Sequence, residues 1–171
     1  MEDLGAQKKL CGHSTARPGG RQDPPETPAV RILMTASHGG FGSERVPLGG
    51  GAAVFERLCQ AWSAEDSIEL QGAGAGPHAP EGVFYTELAP PKVEPSRLST
   101  AAYARFCRDF EGETTRLALR QRPDLVLAHD ISEGPNIAAL RQAGIPVATI
   151  FHVDVVDIFA RLYLASMFSP E

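Results

Sequence analysis

Two short stretches carry side chains that could move protons. "AHDISEGP" places His129, Asp130 and Glu133 directly after an apolar run, and "FHVDVVD" places His152, Asp154 and Asp157 after another. Histidine changes charge near neutral pH, so a His/Asp pair can accept or donate a proton to a bound substrate. Each residue also has a plainer use. Asp154 suits the N-cap of a following helix, and His129 can serve by bonding a loop. A histidine and an aspartate two apart can ligate a metal, but no third ligand follows at zinc-site spacing, so no metal is expected.

A third stretch, "SERVPLGGGAAVFERLCQAW", runs Gly49, Gly50 and Gly51 into an amphipathic helix pattern, and His38, Gly39, Gly40 and Gly42 lie just upstream. Bare amides at the positive end of a helix dipole suit an anion, and glycine lets a phosphate approach the backbone. The spacing is not GxGxxG, and no Gly-Lys-Ser/Thr follows as in a P-loop. A phosphate cradle and close helix packing both remain open on pattern alone.

These residues need elements to hold them. "RILMTAS" reads as a strand ending at Ser37. The next helix repeats Val54, Leu58 and Trp62 every four residues, with Phe55 and Cys59 alongside. "SIELQGAG" and "GVFYTEL" are two short strands. Leu98, Ala102, Phe106, Phe110 and Leu117 mark one face of a long helix. Its start signals are Pro95 and Ser96 or Ser99, and Pro123 ends it. "DLVLAHD" and "IPVATIFHVD" read as strands buried on both faces. Between them "PNIAALRQAG" is a short helix, with Pro135 near its start and Gly144 as its stop. Val155, Phe159, Leu162 and Tyr163 line a last helix capped by Asp154.

Strands alternating with helices imply an α/β fold, a Rossmann-like doubly wound parallel sheet in a single domain. Ligands of such sheets sit beyond the carboxyl ends of the strands, where all three stretches fall. Residues 31–171 form this domain. Residues 1–30, with Pro18, Pro24, Pro25 and Pro28 and no hydrophobic period, read as a disordered tail.

The order of "GGGAAVFERL", "RPDLVLAHD" and "AGIPVATIFHVD" resembles the amino-terminal, acceptor-side domain of a GT-B glycosyltransferase. The likeness is to the retaining, family-4-like group that includes sucrose-phosphate synthases, glycogen synthases and lipopolysaccharide or phosphatidylinositol mannosyltransferases. It covers roughly residues 31 to 165. The resemblance implies that Gly49, Gly50 and Gly51 lie against the donor diphosphate and the incoming acceptor. It makes His152 the residue that reaches the transferred sugar, with Asp154 as its helper. His129 and Asp130 match, in part, a histidine–aspartate turn that shapes the acceptor side. Glu133 has no counterpart. The substrates implied are an NDP-sugar and a sugar or glycan acceptor, with no cofactor and no metal. Such enzymes hold the nucleotide-sugar mainly on a second domain, and this sequence stops at "LYLASMFSPE". The expectation is half an enzyme, a fragment or a subunit completed by a separate donor-binding partner.

Composition bounds the alternatives. The chain has 171 residues, 43% of them hydrophobic, enough for one good core. A net charge of -5 argues against a nucleic-acid binder. No apolar run is long enough for a transmembrane segment, and the first 30 residues lack the apolar centre of a secretory signal. Cys11, Cys59 and Cys107 make an odd count without metal spacing, which points to reduced thiols and a cytoplasmic location. Two other functions compete: a non-catalytic binding or scaffolding domain, and a flavodoxin-like nucleotide-binding domain with Glu69 as a candidate ribose ligand.

Overall fold

The computed structural model describes residues 28–41, 50–88, 99–129 and 133–152. Their elements run β1 (Val30–Ala36), α1 (Gly50–Trp62), β2 (Ile68–Gly74), β3 (Phe84–Glu87), α2 (Thr100–Gln121), β4 (Leu125–His129), α3 (Ile137–Gln142) and β5 (Val147–Ile150). The five strands form one parallel sheet in the order β3-β2-β1-β4-β5. This is the α/β, Rossmann-like architecture that the strand–helix alternation predicts. The residues read as a tail up to position 27, the segments 42–49 and 89–98, and the final helix from Asp154 lie outside the described residues.

Side-chain alternation along β1 builds two cores, one on each face of the sheet. Ile32, Met34 and Ala36 pack with Leu70, Leu127, Phe55 and Cys59, which places α1 over one face. Leu33 and Val126 pack with Phe106, Phe110, Leu117, Ala118 and Leu140, which places α2 and α3 over the other. β1 is therefore buried on both sides from Ile32 to Ala36.

The buried face of α1 differs from the one its periodicity suggests. Ala52, Phe55 and Cys59 are buried, while Val54, Leu58 and Trp62 lie half-buried at the flanks. All six are apolar, so the stripe is wider than one row and its centre is set by the sheet beneath it. Of the three start signals for α2, Ser99 is the N-cap, and its hydroxyl accepts from the Ala102 amide at 3.2 Å. Thr114 completes the buried face of α2 by donating its hydroxyl to the Phe110 carbonyl at 2.7 Å. A polar residue in a core stripe is thus satisfied within its own helix. The helix closes at Arg122, which is left-handed at φ 49°, immediately before Pro123.

β5 is shorter and less buried than "IPVATIFHVD" suggests. It ends at Ile150 and pairs only with β4 among the described residues, as the last strand of the order. Its residues are half-buried or exposed because an outer strand has one neighbour instead of two. Phe151 and His152 follow it, with Phe151 exposed.

Candidate functional site

The strand order reverses direction between β1 and β4: β2 and β3 extend one way from β1, β5 the other. At such a switch point the loops leaving the two strands part, and a crevice opens above their carboxyl ends. Ser37 and His38 leave β1 there, His129 ends β4, and His152 follows β5.

On the α1 side, His129 Nδ1 lies 2.8 Å from His152 Nε2. The ring planes are within 20° of each other, with centroids 4.9 Å apart. Phe55 of α1 stands edge-on to His129, at 80° and 5.7 Å between centroids. The amino end of α1 closes this group. A β-carbon added to Gly51 would stand 3.4 Å from His152 Cδ2, an ordinary contact distance. Gly51 and the two histidines are thus brought together as the sequence predicts, and Gly50 opens the helix beside them. Gly42, Gly49, Asp130, Asp154 and Asp157 lie outside the described residues.

His129 is 2% exposed, and burial, reinforced by neighbouring His152, lowers its pKa to about 4. It is neutral at physiological pH. Among the described residues its Nε2 has no hydrogen-bond partner. With so little surface, His129 could reach a ligand only through His152.

The glycines upstream divide by role. Gly40 has φ +83°, and a β-carbon there would lie 2.2 Å from Tyr85 Oη and 2.6 Å from the Gly76 carbonyl oxygen. Tyr85 Oη itself sits 3.0 Å from the Gly39 oxygen and 2.8 Å from the Gly76 oxygen, donating between them. Burial raises the pKa of this hydroxyl, so it remains a donor. Gly40 is there for close packing. Gly51, with ordinary contact distances around its α-carbon, has no such need.

On the α2 side lies a second polar cluster, of which the sequence singled out only His38 and Glu133. Glu133 is 4% exposed and accepts from the hydroxyls of Ser37 and Tyr103. Ser37 Oγ also lies 2.9 Å from His38 Nδ1, which is 3.7 Å from Glu133 Oε2. Burial, then the bond to Glu133, raises the Tyr103 pKa, keeping the phenol a donor. Glu133 thus ties the end of β1, the first turns of α2 and the β4–α3 connection into one knot. Ser37 carried a signal as the polar end of an apolar run. Nothing in the sequence joins it to a position 96 residues away.

The opposite end of the sheet holds a cavity of about 300 Å3, lined by Arg31, Glu69, Gln71, Phe84, Gln121 and Pro123. It carries none of the histidines, and Arg31 and Asp124 beside it form an exposed ion pair at 3.1 Å. Glu69 pairs with Arg31 at the start of β2, far from the carboxyl ends where a ribose ligand would stand. Among the described residues no helix is long and apolar enough to cross a membrane.

No protein-family model matches the chain, and no curated protein matches it. Two solved structures of the C-terminal domain of a hydrogenase from Pyrococcus furiosus are similar in shape. One is 13% identical with a TM-score of 0.46, covering 74% of this chain and 95% of that one. The other is 14% identical with a TM-score of 0.49, covering 78% and 100%. Likeness at this level carries no argument about function.

Proposed function

We propose that the crevice is the acceptor-side half of a nucleotide-sugar-dependent glycosyltransferase site, in which a hexose passes from an NDP-sugar to a sugar or glycan acceptor. The observation that carries this reading is the meeting of the glycine-led amino terminus of α1 with His152, which is itself backed by His129. Helix amides favour an anion and the imidazole can hold a sugar hydroxyl, so one wall offers both groups such a donor needs. The resemblance of the glycine loop and strand ends to the GT-B enzymes supports the same assignment. Stabilisation of a diphosphate leaving group by helix amides would be electrostatic, with no metal called for. A donor-binding domain would close the other side, and Asp154 and Asp130, next to the histidines in sequence, would assist them. The reduced thiols Cys59 and Cys107 and the acidic net charge fit a cytoplasmic enzyme.

Calorimetric titration of the full chain with UDP-, GDP- and ADP-glucose, and with the free diphosphates, tests this. One nucleotide-sugar is expected to bind with Kd near ~1 mM, about 4 kcal/mol, as half a site would. His152→Ala should abolish that binding without unfolding the chain. Micromolar binding of a free nucleotide would instead mark a self-contained nucleotide-binding domain. Silence with every compound would remove the donor from this wall.

A further inference from the structure

We propose that the outer face of α2 is a docking surface for an acidic helix of a partner protein, which crosses α2 at Gly112. The surface lies away from the histidines and does not rest on the transferase reading.

At about 100° per residue, Arg105, Arg108, Arg116 and Arg120 fall within an arc of about 120° on α2. All four are exposed, and the arc lies opposite Phe106, Phe110 and Leu117, which pack on the sheet. Arg105, Arg108 and Arg120 form no ion pair among the described residues, and Arg116 has a loose contact with Glu113 at 3.9 Å. One acid, Asp109, shares the arc. The chain as a whole is acidic, with a net charge of -5, so this basic face stands out from the rest of it. Arginine is always charged and pairs bidentately with carboxylates through a rigid fork of N–H donors, a capacity that these side chains leave unused within the fold.

Gly112 is the second observation. Glycine inside a helix destabilises it relative to alanine. Nothing in the fold requires glycine here: its φ is not left-handed, and a β-carbon would meet nothing within 4 Å. It sits at the middle of the arginine arc, with Arg108 about one turn before it and Arg116 about one turn after. A missing side chain at the centre of a helix face lets another backbone approach closely. A helix laid across Gly112 brings acidic residues on either side of the crossing within reach of Arg108 and Arg116, with Arg105 and Arg120 a further turn out. Leu119, 39% exposed on the same arc, adds an apolar contact.

Other anionic partners fit this face less well. A bilayer surface calls for a row of large apolar side chains beside the basic ones, and Leu119 is the one such residue of the arc. Nucleic acid would meet Asp109 and a chain of net negative charge.

The test is a nitrogen-15 NMR titration of the full-length chain with a synthetic alanine-based helix carrying glutamates one turn apart. Duplex DNA and phosphatidylglycerol vesicles serve as the competing probes. The acidic helix should shift the amides of Arg108, Gly112 and Arg116, and added salt should reverse the shifts. Charge reversal in Arg108→Glu/Arg116→Glu should weaken binding by more than about tenfold. Gly112→Leu keeps every arginine but fills the crossing point, and should abolish the shifts. Gly112→Ala should raise the melting temperature by about 2–4 °C, because the fold itself does not use the glycine. A face that ignores the acidic helix, or binds it equally well in the Gly112→Leu protein, overturns the proposal. So does a lowered melting temperature for Gly112→Ala, which would give the glycine to the fold. Stronger shifts of the same amides by DNA or by vesicles would hand the face to that class of partner and overturn it too.

Discussion

His129 Nδ1 and His152 Nε2 approach to 2.8 Å across the carboxyl ends of β4 and β5, although 23 positions separate them in the chain. The register of the two strands makes this contact: His129 pairs with Ile150, so His152 lies just two residues beyond. Side chains two apart on a strand share a face, and Ile150 packs on the α1 side. A dyad at this place follows from parallel pairing and needs no special loop.

Burial of His129 gives stability a pH dependence of definite sign. Unfolded, it titrates near the ordinary 6.5; folded, at about 4. Between those values the unfolded chain binds a proton that the folded chain refuses, so stability rises with pH through this window. The penalty is absent above pH 6.5 and grows as pH falls towards 4, by at most about 1.4 kcal/mol per pH unit. Urea unfolding at several pH values should show a shallower slope for His129→Asn than for the parent chain. Equal slopes would mean that His129 titrates normally in the fold.

Gly51→Ala separates packing from binding. The added methyl meets His152 at an ordinary distance, and alanine is the better helix residue, so stability should change by less than about 1 kcal/mol. If a donor diphosphate lies against the start of α1 as proposed, the same methyl would obstruct its approach to the amide. Nucleotide-sugar affinity should fall about tenfold, ~1.4 kcal/mol. Unaltered affinity in a stable Gly51→Ala protein would leave this glycine without a ligand role.

At Gly40 the opposite result is expected. Its left-handed φ alone makes alanine cost about 1–3 kcal/mol, and the β-carbon also strikes the Tyr85 hydroxyl. Tyr85→Phe removes that oxygen and two contacts with the loop carbonyls. A double-mutant cycle should therefore be non-additive, with Gly40→Ala doing less harm in the Tyr85→Phe background. Strict additivity would show that the two sites do not feel each other.

Glu133 should be a structural residue first. Glu133→Ala removes the buried carboxylate that accepts from both Ser37 and Tyr103 and should destabilise the fold by about 1–3 kcal/mol. Hydrogen exchange at the first turns of α2 is the local readout, because Tyr103 is tied there. If those amides stay fully protected, the knot does not hold α2.

The sequence was most legible where period and chemistry agree. The apolar run of β4 announces a strand covered on both faces, and Ser99 and Pro123 punctuate α2 at the predicted places. The meeting of His129 and His152 was legible because both follow strands that a parallel sheet lays side by side. The Ser37–Glu133–Tyr103 knot was not, since three ordinary polar residues from separate elements have no common period. Nor could periodicity centre the face of α1 on Phe55, because every residue of its stripe is apolar. The glycine question stayed open for a related reason: Gly40 and Gly51 look alike in sequence, and only the neighbours of their α-carbons tell them apart.

The strand order also bears on how the chain is made. β1 is the central strand, yet Arg31 at its start bonds to Asp124, 93 positions later. Synthesis releases β1 first, and β2 can pair with one edge soon afterwards. Its other edge, with its row of unmet amides and carbonyls, waits until β4 has left the ribosome. The oldest strand of the nascent domain is thus among the last to be closed. For that interval an apolar edge stands open to any neighbouring chain, which is when this protein is most exposed to misassembly.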